Sequence, residues 1–247
     1  VRVRMYCRSG RPGGLTDPVV SEHAAALLTR DNPLELHAQI ESVALTSNGV
    51  RVRHAVDGRS HDEEFEYVLA ATGRIPNLEG LNLAAAGIPL DAHGRPQAEA
   101  DSGQIGNSRV FLAGDASDRR MLLHEAADEG RIAGDNAGRY PDVRARPRRA
   151  GLAVVFSDPQ IAMAGQGFAE LGAAGVDFAA AQLDFADQGR SRVMRRNAGL
   201  LRVYGERHTG RFLGAEMIGP DAEHLAHLLA WSVHARLTVQ QMLDAPY

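Results

Sequence analysis

The chain has 247 residues, enough for two domains, and its 44% hydrophobic and 23% charged content is typical of a globular protein. A net charge of −4 excludes a general electrostatic attraction to nucleic acid, and no apolar run approaches the roughly 20 residues of a membrane-spanning helix. We therefore expect neither nucleic acid nor a membrane as a partner. The single cysteine, Cys7, excludes an internal disulfide and favours a reducing compartment, so we expect a cytoplasmic protein.

The first part of the chain predicts an incomplete Rossmann-like α/β unit. Alternating Val and Arg residues predict a strand from Val1 to Cys7. Pro18 is typical of a first helical position, and a second strand is predicted from Leu34 to Val43. A Ser-Asn-Gly turn at residues 47–49 predicts a hairpin, and the apolar run from Phe65 to Ala71 predicts a central strand. Because the chain lacks an initial Met and opens inside a strand, we expect a piece of a longer protein.

The stretch from Ser108 to Arg131 predicts a strand, a turn and a helix. Val110 to Ala113 is short and apolar, as a buried strand is, and Gly114 ends it. Asp115 follows at the carboxyl end of this strand, where open α/β sheets bind their ligands. A carboxylate there can accept hydrogen bonds from a polyol. The alternative is an ordinary Gly-Asp turn without a ligand.

A helix is predicted to follow this turn and to run to about Asn136. Its apolar positions recur at helical spacing and are Leu122, Leu123, Ala126, Ala127 and Ile132. This pattern places Asp128 and Glu129 on the wetter side of the helix. The free backbone N–H groups at the beginning of the helix can face an electron-rich carbonyl or ring.

From Pro141 onward the pattern changes. Pro141 to Ala150 holds two prolines and four arginines and predicts a solvated linker, with anion binding by the arginines as the alternative. An α+β region follows, and its longest helix, which we expect to be the longest of the chain, is predicted from about Asp221 to Arg236. Thr238 is predicted to cap a last short helix. The predicted strands lie at Leu152–Phe156, Ala180–Phe185, Gly199–Gly205 and Phe212–Ile218.

Two motifs carry a resemblance to a known family. They are Ala-Thr-Gly-Arg-Ile-Pro-Asn at residues 71–77 and Met-Leu-Leu-His-Glu-Ala-Ala-Asp-Glu-Gly at residues 121–130. The chain resembles the FAD-dependent pyridine nucleotide–disulfide oxidoreductases, and most of all their dihydrolipoamide dehydrogenase branch. The resemblance implies FAD and NAD(P) as cofactors. It also implies a partial Rossmann-like nucleotide- and FAD-binding region, followed by an α+β dimerisation domain.

The resemblance assigns roles to individual residues. It implies that Asp115, after Gly114, holds the ribitol of FAD, and that Gly73 lies beside the nicotinamide nucleotide. The residues implied to lie against the flavin are Met121, Leu122, Leu123 and His124. The residues implied at the adenosine end of NAD(P) are Cys7, Arg8 and Ile40.

Cys7 stands at the position where an acidic residue favours NAD, and Arg8 and Arg11 follow it. This arrangement favours NADP slightly. The alternative is that both arginines are solvated loop residues, and that Ile40 is ordinary core.

The C-terminal part resembles the family's dimerisation domain, which implies a homodimer. On the predicted long helix His224, His227, Trp231 and His234 lie near one face. We favour a subunit contact for this stripe over a metal site, because no Cys or acidic partner set accompanies the histidines. We therefore assign no metal ligands.

The predicted domains are a partial NAD(P)-binding domain at 1–77, an FAD-binding segment at 78–140, a linker at 141–150 and a dimerisation domain at 151–247. The resemblance implies a flavoprotein that passes electrons among NAD(P)H, FAD and a small-molecule or protein-bound disulfide. The family's cysteine pair and its His–Glu pair are absent from this sequence, so we assign no catalytic residue and expect the chain to be inactive alone. The alternatives are a flavin reductase of a non-disulfide acceptor, a dimerisation module only, and an NAD(P)-only Rossmann protein.

Overall fold

The computed structural model describes residues 1–117 and 119–246. It forms two compact units, one of Val1–Leu69 with Ala150–Tyr247 and one of Ala70–Arg149. Residues 118 and 247, which belong to the predicted FAD-binding segment and dimerisation domain, lie outside the described residues. The predicted four-part division into functional domains stays a prediction. No helix within the described ranges is long and apolar enough to cross a membrane.

The chain begins with the predicted strand–helix–strand order. Strand β1 (Met5–Cys7) and strand β2 (Leu34–Leu36) pair in parallel, and helix α1 (Pro18–Leu28) lies between them in the sequence. Asp17 caps helix α1, because its carboxylate accepts hydrogen bonds from the backbone N–H groups at the first turn. The strands are shorter than predicted, since β2 ends before His37, which has a positive φ of 57°.

A three-stranded antiparallel sheet follows. It consists of β3 (Gln39–Leu45), β4 (Val50–Val56) and β5 (Arg59–Phe65), in that order. The hairpin between β3 and β4 turns at the predicted Ser-Asn-Gly sequence, whereas β5 was not predicted. The predicted strand from Phe65 to Ala71 is wrong. Strand β5 ends where it was expected to begin, and Tyr67 and Leu69 are 88% and 91% exposed. No described residue pairs with this segment as a strand, so its apolar sequence has no sheet to join.

The second unit contains few regular elements. Helix α2 (Leu123–Arg139) is its main element, and with 17 residues it is longer than any other described helix. The predicted strand from Val110 to Ala113 is wrong, because only Phe111 forms a β-bridge, with Gln104. Leu112 instead donates a backbone hydrogen bond of 2.7 Å to Gly103, which holds the segment against a loop.

The C-terminal part of the first unit is an α+β fold. Its antiparallel sheet consists of β6 (Leu152–Val155), β7 (Gln160–Gly165), β8 (Phe178–Asp184), β9 (Leu200–Glu206) and β10 (Phe212–Gly219), in the order β6-β7-β10-β9-β8. The helices are α3 (Phe168–Ala173), α4 (Gly189–Val193), α5 (Ala222–His234) and α6 (Val239–Leu243). The α+β prediction is confirmed, and Thr238 caps α6 through a capping box. Helix α5 has only 13 residues, so the expectation that it is the longest is wrong.

Helix α1 packs on this C-terminal sheet. Leu15, Val20 and Leu27 form one buried cluster with residues of β7, β9 and β10. At the centre of the contact lies the fully buried carboxylate of Glu216. It accepts hydrogen bonds from the backbone N–H groups of Thr16, Asp17 and Phe168 and from the Thr16 hydroxyl. The beginnings of α1 and α3 are therefore joined through one side chain of β10.

Candidate functional site

The Gly-Asp pair lies in a short 3-10 turn, Gly114–Ser117, which we name the Asp115 turn. Gly114 has a φ of +68°, and a Cβ atom there would come within 3.2 Å of the Cβ of Ala126. Glycine is therefore required both by the backbone conformation and by the close approach of helix α2. Asp115 follows with a side chain that is 39% exposed, so its carboxylate remains accessible to a ligand.

The structure brings the two predicted cofactor motifs together. Nη1 of Arg74, which follows Gly73, donates a 3.1 Å hydrogen bond to Oδ2 of Asp115. Gly73 has a φ of +104° and open space where a Cβ would lie, so its conformation rather than its packing requires glycine. Arg74 was not predicted as a site residue. Its position in the Thr-Gly-Arg motif was the available signal, but sequence alone does not reveal its carboxylate partner.

The Met-Leu-Leu-His segment leads into helix α2. Leu122 is the N-cap residue, and its apolar side chain makes no capping hydrogen bond. Met121 and Leu122 are partly buried, whereas Leu123 and His124 are exposed. The beginning of a helix carries the positive end of the helix dipole, which suits an electron-rich ring or carbonyl. The segment can therefore meet a flavin with apolar side chains and with backbone donors.

The prediction that Asp128 and Glu129 lie on the wetter side of helix α2 is wrong. They are only 7% and 8% exposed, and Glu125, one turn earlier, is 9% exposed. Glu129 accepts hydrogen bonds from the backbone N–H of Gly114 and from the hydroxyl of Ser117, over 2.8 and 3.0 Å. A helical wheel assigns acidic residues to solvent, whereas these carboxylates are buried because cations and N–H groups surround them.

Those cations come from the predicted linker. We name residues 144–149 the arginine strap. The prediction of a solvated connector holds for the exposed Arg144 and Arg149 but is wrong for Arg146 and Arg148, which are partly buried. Arg148 pairs with Glu125 at 2.5 Å and with Glu129 at 3.4 Å, and Arg149 pairs with Asp128 at 3.4 Å. Arg146 pairs with Asp135, and Asn136 accepts a 2.9 Å hydrogen bond from the backbone N–H of Arg144. Ion pairs and hydrogen bonds therefore hold the arginine strap along the acidic face of helix α2.

The residues implied at the adenosine end of NAD(P) lie in the first unit, on β1, in the loop after it and on β3. Cys7 is partly buried, with its Sγ 3.6 Å from the hydroxyl oxygen of Ser9, and Ala38 donates to its carbonyl oxygen. Arg8 and Arg11 are exposed in the following loop, where they can meet a ligand phosphate. Ile40 is 44% exposed on β3, so it is not ordinary core.

Tyr6, beside Cys7, is held by an acidic neighbour. Its hydroxyl lies 3.5 Å from Glu63, which also pairs with Arg4 at 2.6 Å. Burial, together with the negative charge of Glu63, raises the pKa of Tyr6 to about 12. Its hydroxyl therefore keeps its proton, and remains a hydrogen-bond donor, to a higher pH than that of a free tyrosine.

The histidine stripe of helix α5 faces outward. His224, His227 and His234 are exposed, and Trp231 is 71% exposed, while Ala226 and Ala230 are buried on the opposite face. Among the described residues, no group of three or more His, Cys, Asp or Glu side chains is placed to hold a metal ion. The stripe is thus an exposed aromatic and polar surface on the C-terminal fold.

Comparison with known proteins defines the class. A family model described as pyridine nucleotide-disulphide oxidoreductase matches residues 2–130, and the model for the dimerisation domain of that family matches residues 152–246. The first match covers just over half of the chain. The chain therefore belongs to the pyridine nucleotide-disulphide oxidoreductase family, whose members use FAD and NAD(P)H.

Among curated relatives, the mercuric reductase of Acidithiobacillus ferrooxidans is 30% identical over 92% of this chain and 41% of its own length. The dihydrolipoyl dehydrogenase of Geobacillus stearothermophilus is 29% identical over 79% of this chain and 41% of its own length. The chain spans about two fifths of these relatives.

Solved structures agree on the fold. The crystal structure of LpdA from Mycobacterium tuberculosis matches 99% of this chain and 53% of its own chain, with a TM-score of 0.80 and 25% identity. The HOCl-induced flavoprotein disulfide reductase RclA from Escherichia coli matches 100% of this chain and 56% of its own, with a TM-score of 0.80 and 21% identity. The expected order of a nucleotide- and FAD-binding region and an α+β dimerisation domain is confirmed.

The residues of the second unit fit the FAD that the family implies. Asp115 offers an accessible carboxylate for a polyol, Gly114 lets the Asp115 turn lie close to Ala126, and the beginning of helix α2 carries the positive end of its dipole. The groups come from two segments, the Asp115 turn and the beginning of helix α2. When bound, the flavin would supply the redox chemistry, and the protein would bind and orient it.

Proposed function

We propose that this chain forms part of an FAD- and NAD(P)-dependent disulfide oxidoreductase of the dihydrolipoamide dehydrogenase type. In this proposal Asp115 holds the ribitol of FAD, and residues 121–124 contact its ring. Gly73 lies beside the nicotinamide nucleotide, and the loop after Cys7 binds the adenosine end of NAD(P). The observation that carries the proposal is the placement of Arg74 on Asp115, since it joins the two family motifs at one accessible carboxylate.

The redox-active disulfide is proposed to lie outside this chain. The chain has one cysteine, Cys7, which lies at the nucleotide end and has no sulfur partner. Reduction of a substrate disulfide by a protein dithiol requires one thiolate to attack the disulfide and a second thiol to resolve the mixed disulfide, with a base to take up the thiol proton. We therefore expect the chain alone to show no lipoamide or disulfide reduction.

A second candidate, reduction of a non-disulfide acceptor such as Hg²⁺, is favoured by one specific observation. The mercuric reductase of A. ferrooxidans is as similar to this chain as the dihydrolipoyl dehydrogenase of G. stearothermophilus, at 30% and 29% identity. The names of these two relatives differ in the electron acceptor, and their identities to this chain do not favour one over the other. The scaffold is thus compatible with either.

We further propose a homodimer formed through the C-terminal fold. The match of residues 152–246 to the dimerisation domain supports it, as does the exposed surface of helix α5. Leu228 and Trp231 are 60% and 71% exposed there, and large apolar side chains side by side on a surface are typical of subunit contacts.

The test is spectroscopic and kinetic. The complete gene product is purified, and its absorbance between 350 and 500 nm is recorded; bound flavin is expected. Reduction by NADH and by NADPH is then followed in a stopped-flow instrument, and steady-state turnover is measured with lipoamide and with Hg²⁺. Asp115→Asn is expected to weaken FAD binding, because an amide donates where the polyol also donates. Glu99→Gln, a change of the same kind elsewhere in this unit, is the matched control.

The outcomes separate the candidates. Turnover with lipoamide supports the disulfide oxidoreductase, and turnover with Hg²⁺ alone supports the second candidate. Absence of bound flavin, or identical FAD binding by the wild type and Asp115→Asn, contradicts the proposal.

A further inference from the structure

Glu129 connects the Asp115 turn to helix α2. Its Oε2 accepts hydrogen bonds from the backbone N–H of Gly114 and from the hydroxyl of Ser117, the two ends of the turn. Asp115 lies between these ends. We propose that Glu129 is a positioning residue for flavin binding, which holds the Asp115 turn in the conformation that presents the Asp115 carboxylate. This inference rests on the proposed function, because it concerns the same cofactor site.

Glu129 is itself held in one orientation. Its other oxygen, Oε1, lies 3.4 Å from Nη2 of Arg148, and the same nitrogen lies 2.5 Å from Glu125. Burying a carboxylate costs free energy unless hydrogen bonds and a counter-charge compensate for its lost hydration. Here the arginine strap supplies the counter-charge at one oxygen, and the Asp115 turn supplies both donors at the other. The two oxygens therefore have separate functions.

The space beside Glu129 is too small for direct contact with a flavin. This cavity, which Ser117, Glu129 and Arg148 help to line, has a volume of about 10 Å³. That volume holds about one water molecule and no part of a flavin. Nη1 of Arg148 is buried and has no hydrogen-bond partner among the described residues, so a single water is its expected partner. Any influence of Glu129 on flavin binding must therefore act through the turn.

A merely stabilising role for Glu129 is the alternative, and the neighbouring residue provides a matched control. Asp128 is equally buried on the same helix, at 7% exposure against 8% for Glu129. It pairs with Arg131 at 3.1 Å and with Arg149 at 3.4 Å, and its hydrogen bonds do not involve the Asp115 turn. Removing either carboxylate should therefore destabilise this unit similarly, whereas only the loss of Glu129 releases the turn.

The experiment compares Glu129→Gln, Glu129→Leu and Asp128→Leu in the complete gene product. The amide oxygen of Gln can accept both hydrogen bonds that Oε2 accepts, so Glu129→Gln is expected to keep the FAD dissociation constant within about threefold. Glu129→Leu is expected to raise the FAD dissociation constant at least about tenfold. Asp128→Leu is expected to lower Tm by a similar amount but to leave the FAD dissociation constant within about threefold of the wild-type value. Ser117→Ala removes one of the two hydrogen bonds without burying a new group. Ser117→Ala serves as the test if Glu129→Leu does not fold, and it is expected to raise the FAD dissociation constant about twofold to fivefold.

A second readout does not depend on flavin. Hydrogen exchange at the Gly114 amide of the apoprotein is expected to accelerate about tenfold in Glu129→Leu and to stay unchanged in Glu129→Gln and Asp128→Leu. Equal weakening of FAD binding by Glu129→Leu and Asp128→Leu would reduce Glu129 to a stabilising residue and overturn the inference. If Asp115→Asn weakens FAD binding while Glu129→Leu does not, the inference fails and the proposed function stands. If the wild type binds no FAD, the proposed function itself fails.

Discussion

Thr16 and Glu216 lie 200 positions apart in the sequence, yet the backbone N–H and the hydroxyl of Thr16 both donate to the Glu216 carboxylate, over 2.6 and 2.5 Å. The N–H groups of Asp17 and Phe168 donate to the same carboxylate. Asp17 in turn accepts hydrogen bonds from Arg202 at 2.7 Å and from Tyr204 at 3.0 Å. Helix α1 and the C-terminal sheet therefore share one buried polar network.

Glu216→Ala is expected to lower the free energy of unfolding by about 3 kcal/mol, because it leaves several buried N–H groups without an acceptor. Glu216→Gln keeps the shape and one acceptor oxygen, so about half of that loss is expected. Urea unfolding of the chain measures both values. Glu170→Gln, on the exposed side of α3, is the control and should change the free energy of unfolding by less than about 0.5 kcal/mol. A decrease of less than about 0.5 kcal/mol in the free energy of unfolding of Glu216→Ala would contradict the role of the Glu216 carboxylate in joining these elements.

Tyr204 predicts how stability changes at alkaline pH. Burial, and then the negative charges of Glu216 and Asp17, raise the pKa of Tyr204 far above its usual value. In the unfolded chain this phenol ionises near pH 10, whereas in the folded chain it keeps its proton. Above about pH 10 the unfolded state therefore binds fewer protons than the folded state, and stability falls as pH rises. Below about pH 10 the full contribution of Tyr204 to the free energy of unfolding is present.

Tyr204→Phe is expected to remove this contribution. Between about pH 10 and 11.5 its stability should fall less steeply than that of the wild type, by up to about 1.4 kcal/mol per pH unit. At neutral pH the variant should be less stable by about 1 kcal/mol, because the hydrogen bond to Asp17 is lost. Urea unfolding at several pH values measures both effects, with the exposed Tyr67→Phe as control. Parallel pH profiles for the wild type and Tyr204→Phe would contradict the raised pKa.

Gly114→Ala is expected to destabilise the second unit by about 1–2 kcal/mol, because Gly114 has a φ of +68° and the new Cβ would press on Ala126. Gly130→Ala, in the middle of helix α2 with open space at the Cβ position, should instead stabilise by about 0.5–1 kcal/mol. Thermal unfolding measures whether each substitution lowers or raises Tm. Stabilisation by both substitutions would show that the turn does not need glycine.

The loop after β1 predicts the choice of nucleotide. If Arg8 and Arg11 bind the 2′-phosphate, Arg8→Glu with Arg11→Glu should reduce the preference of the complete gene product for NADPH over NADH by at least about tenfold. Arg2→Glu, another exposed arginine in the same part of the chain, controls for charge. The ratio of kcat/KM values for the two nucleotides is the measurement. A wild type that already prefers NADH would contradict the NADP assignment.

Trp231→Glu is expected to convert the proposed dimer to a monomer, because it places a charge in the centre of an apolar contact. Light scattering after size-exclusion chromatography gives the mass directly. Leu45→Glu changes a side chain that is 88% exposed on β3, outside the matched dimerisation domain, and should leave the mass unchanged. A Trp231→Glu protein that remains dimeric would place the subunit contact elsewhere.

The sequence predicted the elements whose signals are local. Thr238 and its capping box, and Pro18 at the start of α1, were predicted because each signal lies within a few residues of its effect. The segment after Phe65 was predicted wrongly, because a strand also needs a neighbouring strand to accept its hydrogen bonds, and apolar content does not reveal one. Asp128 and Glu129 were placed wrongly for a similar reason, since their partners lie some 20 residues away, in the arginine strap.

The candidate site also contains residues with local sequence signals and residues whose partners are distant in the sequence. Its residues were found from motif resemblance, whereas Arg74 and Glu129 were missed because their importance depends on partners 41 and 15 positions away. Buried polar networks join distant segments, and single-sequence periodicity carries no signal for them. Their roles become visible only from the structure.

The buried carboxylate of Glu216 also has a consequence for synthesis of the protein. Helix α1 leaves the ribosome about 200 residues before its acceptor does, which corresponds to roughly 10–40 s at 5–20 residues per second. During that interval Leu15, Val20 and Leu27 have no sheet to pack against. We therefore expect the region of helix α1 to need protection from aggregation until β10 is made, and a ribosome that stalls before residue 216 leaves this apolar face uncovered.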